Sequence, residues 1–185
     1  MTSHHAGSLQ PPVHEGDHIA GDAHTPITLV EYGDYQCPQC ARAHPIIASI
    51  RRSMGEQLRF VFRNFPLSEM HPDALNAAMA TESVAAHHDA PMYWAMHDML
   101  YEHQQDSDVA LDDAHLAQYA AAVGANAVQV AQDLADNTFE ARVRADFLSG
   151  VRSGVNGTPT FYINGVRCDG DWSDEHAFIA SLKQA

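Results

Sequence analysis

Two cysteines separated by two residues, Cys37 and Cys40, are the side chains in this 185-residue chain with the clearest chemical potential. They follow a strand-like apolar run at residues 27–32 and open a stretch in which apolar residues recur at helical spacing. Two thiols at this spacing can close a small disulfide ring and reopen it. Because the first sulfur would lie at the positive end of a helix, the arrangement favours thiol–disulfide exchange over a structural disulfide.

The positions of the two cysteines predict different roles. Exchange requires a thiolate, because the deprotonated sulfur is the nucleophile. Cys37 can act as the N-cap of the helix, with Pro38 at the first helical position, and we expect it to be the exposed attacking thiol. Cys40 lies one helical turn further on, and we expect it to be the buried thiol that resolves the mixed disulfide.

The acidity of Cys37 depends on what surrounds its sulfur. The helix dipole contributes about 0.3–1 kcal/mol, and one pKa unit corresponds to about 1.4 kcal/mol, so the dipole alone lowers the pKa by roughly one unit. A larger shift needs hydrogen bonds to the sulfur from helix N–H groups, from the Cys40 thiol or from Gln39. The Gln39 amide carries no charge, so we predict a moderately lowered pKa for Cys37.

The same spacing also suits metal binding, since a Cys-x2-Cys pair forms half of many zinc sites. Zinc would need two further ligands, and no second Cys-x2-Cys or His-x3–5-His pair follows at finger-like spacing. Cys168 with a histidine could complete a site only by an accident of the fold. The sequence is also compatible with an iron–sulfur cluster held by Cys37 and Cys40, and with a chaperone or binding module that has no redox activity. The redox interpretation implies no bound cofactor and no metal.

The composition limits the partners and the location of the protein. A formal net charge of −14 argues against nucleic acid or an anionic membrane as the main partner. No apolar run reaches about 18 residues, so no membrane insertion is predicted. Residues 1–24 lack the basic and apolar regions of a secretory signal, which predicts a cytoplasmic protein if Met1 is the natural start. If the N-terminus has been trimmed, a periplasmic or other extracytoplasmic location is expected instead.

The pattern along the chain predicts a strand–helix–strand unit, then a block of helices, then two strands and a helix. Residues 1–24 are expected to form an extended, poorly ordered arm, and residues 25–185 one domain with a helical insert at about 73–153. Pro45 should bend or divide the first helix. Strands are predicted at 27–32, 58–62, 160–163 and 166–168, and helices begin near residues 37, 75, 92, 116, 139 and 173.

This order, with the Cys-x2-Cys after the first strand and Thr158-Pro159 before the late hairpin, resembles the thioredoxin fold. The helical insert narrows the resemblance to the DsbA-like branch, and it covers roughly residues 26–182. Supporting local similarities lie at residues 30–40, 63–67, 92–98 and 154–161. The resemblance implies an α/β fold of the thioredoxin-like, DsbA-like type.

The resemblance also implies an activity, which is thiol–disulfide exchange with protein or small-thiol substrates. The redox carrier would be a Cys37–Cys40 disulfide, recycled by an unidentified redox partner. The family's most oxidising members carry Pro-His between their cysteines, whereas this chain has Pro38-Gln39. We therefore expect a less oxidising couple, with oxidation, reduction and isomerisation all open as its direction.

The resemblance also implies roles for Thr158-Pro159 and Glu31. Thr158-Pro159 would be a cis-proline loop beside the sulfurs, with Thr158 pairing with the substrate backbone. Glu31 would be a buried acid beneath the disulfide that takes the proton of Cys40, unless it is a strand-end carboxylate facing solvent. Cys168 is interpreted as a small residue near a strand end. We interpret Arg42 and the histidines at 44, 71, 87 and 88 as surface or loop residues rather than ligands.

Overall fold

A five-stranded mixed sheet organises the computed structural model, which describes residues 7–185. Its sheet order is β1-β3-β2-β4-β5, in which β2 and β3 are parallel and the other neighbouring pairs are antiparallel. The strands are β1 (His18–Ala20), β2 (Ile27–Gly33), β3 (Leu58–Asn64), β4 (Thr160–Ile163) and β5 (Val166–Cys168).

Helices cover the sheet and form most of the chain between β3 and β4. Helix α1 connects the parallel strands β2 and β3, as such a pair requires. Five helices then form the insert, and α7 ends the described part of the chain. The helices are α1 (Pro38–Met54), α2 (Ala74–His87), α3 (Ala90–His103), α4 (Asp113–Ala122), α5 (Ala127–Ala135), α6 (Glu140–Ser153) and α7 (Glu175–Gln184). The predicted thioredoxin-like fold with a helical insert is confirmed.

The alternation of side chains along β2 decides what faces the first helix. Leu29 belongs to the large apolar cluster that also contains Cys40, whereas Val30 and Tyr32 belong to a smaller cluster on the opposite face of the sheet. Because side chains two residues apart share a face, Glu31 points to the same side as Leu29. The carboxyl of Glu31 therefore lies on the face that α1 covers.

We expected Pro45 to bend or divide helix α1, and the helix runs undivided through it. The proline is on the exposed side of the helix. The carbonyl that loses its partner N–H lies four residues earlier, at the partly exposed Ala41, where water can satisfy it.

None of the helices in residues 7–185 is long and apolar enough to cross a membrane.

The N-terminal segment differs from the expected poorly ordered arm over the part that the structure describes, while residues 1–6 lie outside it. Strand β1 pairs with β3, and Leu9 is buried. The cause is Arg63 on β3, whose guanidinium is 1% exposed and needs acceptors. It donates to both carboxylate oxygens of Asp17 at 2.8 Å and to the carbonyls of Pro11 and Pro12 at 3.0 and 3.2 Å.

Replacing Asp17 with Asn should lower the free energy of unfolding by about 3–5 kcal/mol, because the buried guanidinium of Arg63 then lacks its counter-charge. Urea denaturation followed by circular dichroism measures the difference. Asp22→Asn is the matched control, because Asp22 is exposed, and its effect should stay within about 0.5 kcal/mol. Equal unfolding midpoints for Asp17→Asn and the unmodified protein would contradict the assignment.

Candidate active site

The two cysteines lie at the junction between β2 and α1, as predicted. Helix α1 begins at Pro38, and Cys37 is its N-cap with an extended backbone at φ −72° and ψ 121°. The backbone N–H of Cys37 donates to the carbonyl of Asp34 at 3.1 Å, which closes the turn before the helix. Pro38 at the first helical position has no N–H to leave unpaired.

The loop before the cysteines is fixed by the carboxylate of Asp34, which is 1% exposed. It accepts hydrogen bonds from the backbone N–H of Gln36 at 2.7 Å and of Leu67 at 2.9 Å. It also contacts Nδ1 of His71 at 2.8 Å. His71, expected on a helix surface or in a loop, lies in a loop, whereas the sequence did not identify Asp34 as the residue joining the two loops.

Gln104, at the end of α3, holds the same loop from the insert. Its side-chain amide donates to the carbonyl of Tyr35 at 2.7 Å and to the carbonyl of Cys37 at 3.2 Å. The side chain is 8% exposed, so these bonds lie in a largely dry environment. No local pattern in the sequence marks Gln104, because its partners are 67 and 69 residues away.

Both sulfurs are free thiols, and neither is well exposed. Cys37 is 6% exposed and Cys40 is 0% exposed, so the expected order of accessibility is present but the expected exposure of Cys37 is wrong. The covering element is the loop before β4, because the sulfur of Cys37 lies 3.6 Å from the carbonyl oxygen of Thr158.

The environment lowers the pKa of Cys37 to about 5. The main cause is a hydrogen bond from the Cys40 thiol, and burial acts in the opposite direction. Thr158 and the backbone N–H groups of Cys40 and Gln39 also stabilise the thiolate. The shift is larger than the moderate one expected, because direct hydrogen bonds add to the helix dipole.

The side chain of Gln39 takes no part in this stabilisation. It is exposed, and its Oε1 accepts a hydrogen bond from Nη1 of Arg42 at 3.1 Å. Only the backbone N–H of Gln39 contributes at the sulfur. The residue between the cysteines that we expected to tune the thiolate therefore does so through its position in the helix, and not through its amide group.

Cys40 and Glu31 are both buried groups whose charged forms are disfavoured. The pKa of Cys40 is raised well above 9, first by burial, then by its hydrogen bond to Cys37 and by the charge of Glu31. The pKa of Glu31 is raised to about 8, first by burial and then by the charge of Cys37. Glu31 is 3% exposed, so it does not face solvent at a strand end.

The loop before β4 brings Thr158 and Pro159 to the cysteines from the other end of the chain. The Thr158–Pro159 peptide bond is cis. The carbonyl of Thr158 faces the sulfur of Cys37. The buried side-chain hydroxyl of Thr158 has no hydrogen-bond partner within residues 7–185. A free hydroxyl at this place can donate to a thiolate when one forms.

The third cysteine, Cys168, belongs to a different part of the sheet. It lies on β5 opposite Phe161 on β4 and packs at the edge of the large apolar cluster. Its thiol is free and partly buried. The position agrees with a small residue near a strand end and assigns it no part in the site around Cys37.

A mainly apolar cleft of about 590 Å³, whose lining also includes Ser68, Glu69, Glu140 and Arg144, lies beside the active-site loop. The hydrogen bond between Asp34 and the backbone of Leu67 joins its rim to that loop. Met70, on the same rim, is 67% exposed. The apolar residues that line the cleft are Pro66, Leu67, Met70, Leu75, Val143, Phe147 and Leu148.

Comparison with known sequences agrees with this geometry. The profile of the family described as thioredoxin matches residues 13–180. A Na(+)/H(+) antiporter NhaA 1 from Mycobacterium sp. (strain KMS) is 38% identical over 177 residues, which are 95% of this chain and 28% of that protein. One from Salinispora arenicola is 36% identical over 169 residues, 91% of this chain and 24% of that protein. The chain thus spans about a quarter of the length of these curated relatives, and the antiport in their names is not transferred to it.

Solved structures show the same fold. Oxidised BdbD from Bacillus subtilis superimposes with a TM-score of 0.86 at 25% identity, covering 97% of each chain. MdbA from Corynebacterium diphtheriae, a thiol-disulfide oxidoreductase, gives a TM-score of 0.73 at 17% identity, covering 96% of this chain and 92% of that one. The chain belongs to the thioredoxin family, and it shares its fold with BdbD and MdbA.

Proposed function

We propose that the chain exchanges disulfides through Cys37 and Cys40, with Cys37 as the attacking and Cys40 as the resolving thiol. The observation that carries this proposal is that the pKa values of the two thiols are shifted in opposite directions. The pKa of Cys37 is lowered to about 5, while that of Cys40 is raised well above 9. Only Cys37 is therefore a thiolate at neutral pH, and the thiolate is the nucleophile.

Each cycle moves two electrons between the dithiol and a substrate. In the oxidising direction, a substrate thiolate attacks the sulfur of Cys37 in the Cys37–Cys40 disulfide, and the Cys40 sulfur leaves and takes up a proton. A second substrate thiolate then attacks the substrate sulfur of the mixed disulfide. The substrate leaves as a disulfide, and Cys37 leaves as a thiolate. The reducing direction is the reverse sequence.

The low pKa of Cys37 supports oxidation as the working direction. A stabilised thiolate stabilises the reduced form of the protein, which makes its disulfide a stronger oxidant. Allowing for the solvent near the sulfur, the effect at pH 7 is roughly 1–3 kcal/mol, or about 20–60 mV. If thiol trapping in living cells shows Cys37 and Cys40 mostly oxidised, the result would agree with this direction. Mostly reduced cysteines would instead support the predicted cytoplasmic location.

Glu31 is proposed as the group that exchanges the proton of Cys40. It faces the α1 side of the sheet, and its charge affects the pKa of Cys40. The pKa of Glu31, about 8, is close to neutral pH, so its carboxyl group can both accept and return a proton there. The transfer runs directly or through one water molecule, which is the usual reach of a general base.

The loop at Thr158-Pro159 is proposed to hold the substrate at the sulfurs. The Thr158 carbonyl lies 3.6 Å from the Cys37 sulfur, which supports a role for backbone groups of this loop in pairing with an extended substrate strand. The adjoining apolar cleft favours protein cysteines as the substrate class, because an unfolded segment carries apolar side chains. A separate redox partner would recycle the pair.

The two rival functions differ from this one in what they require. A zinc or iron–sulfur site would need ligands beside Cys37 and Cys40, but in residues 7–185 the group of three or more potential ligands contains neither cysteine. A binding module without redox activity would not need two thiols whose pKa values are shifted in opposite directions. Its binding would survive Cys37→Ala, whereas exchange would not.

Cys40→Ser should trap a mixed disulfide at Cys37. Without the resolving thiol, the adduct with oxidised glutathione or with a disulfide-containing peptide cannot be released from within the protein. Mass spectrometry of the intact protein should show one adduct, and Cys37→Ser should show none at neutral pH. Cys168→Ser is the control and should behave as the unmodified protein. An adduct on Cys37→Ser that forms as fast as on Cys40→Ser would refute the assigned order.

Glu31→Gln should slow the attack of Cys40 on the mixed disulfide by at least about tenfold, because it removes a general base. In the unmodified protein, the rate of this attack should rise with pH up to an inflection at or below about pH 8. Cys37 carries no charge in the mixed disulfide, so it no longer raises the pKa of Glu31. The variant should lack this inflection. Rapid acid quenching of the mixed disulfide gives the rate, with the exposed Glu56→Gln as control. An unchanged rate and pH profile in Glu31→Gln would exclude the role.

A further inference from the structure

Three side chains with metal-binding atoms converge where α1 crosses α3. His44 lies on α1, and His97 and Asp98 lie on α3. One ring nitrogen of each histidine and one carboxylate oxygen of Asp98 all lie within 4.8 Å of one another. The sequence interpretation treated His44 as a surface residue and did not consider His97 as a ligand, because the two are 53 positions apart.

The spacing of these atoms is close to that of a zinc site. Zinc bonds of about 2.0–2.1 Å in a tetrahedral arrangement place the ligand atoms roughly 3.4 Å apart. Nε2 of His44 already lies 3.5 Å from Oδ1 of Asp98. The side chain of Asp98 is about half exposed, so it has room to rotate toward the two histidines.

The buried member of the group is held in place by a second contact. His97 is 2% exposed, and its Nδ1 forms a hydrogen bond of 2.9 Å with the hydroxyl of Tyr35. A metal-binding histidine usually makes such a bond with one ring nitrogen, which orients the other nitrogen to the metal.

The site is open to solvent and its charges are mixed. A cleft of about 480 Å³ reaches His44 and Asp98, so an ion has an entry path. Glu102 lines the same cleft and adds negative charge, whereas Arg51 and Arg52 add positive charge. The guanidinium of Arg51 lies over the rings of Phe60 and Trp94 at 5.3 and 5.4 Å, which places it against an apolar wall.

We propose that His44, His97 and Asp98 bind a divalent first-row transition-metal ion, and that zinc is the ion best matched to them. Two imidazoles and one carboxylate are a common three-residue set for zinc, and they leave one position open to water or another ligand. The site is separate from the thiols, although His44 follows Cys40 by one helical turn. It does not depend on the proposed exchange activity.

The test is zinc binding by the full chain carrying Cys37→Ser, Cys40→Ser and Cys168→Ser, which removes all thiolate ligands. Isothermal titration with zinc should show a site that His44→Gln and Asp98→Asn each weaken by at least about tenfold, and Tyr35→Phe by about tenfold. His115→Gln is the matched control, since His115 contacts Asp112 and not this group. Circular dichroism confirms that each variant is folded.

The zinc X-ray absorption spectrum of the loaded protein should show nitrogen and oxygen neighbours that include two imidazoles. Loss of one imidazole in His44→Gln would support the site. Zinc bound equally well by His44→Gln and Asp98→Asn would place it elsewhere and overturn the proposal, as would the absence of zinc binding in the thiol-free protein. Because the cysteines are absent throughout, failure here leaves the exchange function untouched, and failure of exchange leaves this result untouched.

Discussion

The hydrogen bond from the Cys40 thiol to the Cys37 sulfur is the interaction on which the chemistry of this protein depends. Among the contacts of the Cys37 sulfur, this bond contributes most to lowering the pKa of Cys37, and the same bond raises the pKa of Cys40. One bond thus separates the two thiols into a nucleophile and a proton-bearing partner. It can form because both cysteines lie in the first turn of one helix. The backbone N–H groups of that turn have no other partner and add to the stabilisation of the Cys37 sulfur.

Burial around this bond determines the rest of the site. Glu31 and Cys40 lie where strand β2 meets helix α1, and neither keeps a charge easily there. Polar contacts with distant segments hold the loop above them, among them the bond from Gln104 to the backbone of Tyr35 and the bond between Asp34 of the loop and the backbone of Leu67. The site therefore depends on the helical insert as well as on the thioredoxin-like part of the chain.

Much of this arrangement could be predicted from local sequence. A Cys-x2-Cys followed by helical periodicity indicates the junction at Cys37, and the hairpin after Pro159 is marked by its turn residues. These signals depend on neighbours within a few positions. The isolated acid in an apolar strand also pointed to Glu31, because a charged side chain in a core strand needs a reason.

The remaining features depend on contacts between distant residues. In the sequence, Arg63 is one charged residue beside a strand, and only the fold shows that it is buried and orders the N-terminal segment through Asp17. The strength of the Cys37 shift depends on distances at the sulfur, which a motif does not contain. The approach of His44 to His97 likewise follows from the crossing of two helices.

The pKa of Cys37 in the reduced protein tests the central claim most directly. Thiolate absorbance in the ultraviolet, recorded across the pH range in Cys168→Ser protein to isolate the pair, gives this value. A single transition near pH 5, with the second thiol titrating above pH 9, is the predicted result. A transition near the ordinary value of about 8.5 would show that the Cys37–Cys40 hydrogen bond does not stabilise the thiolate, and it would contradict the account.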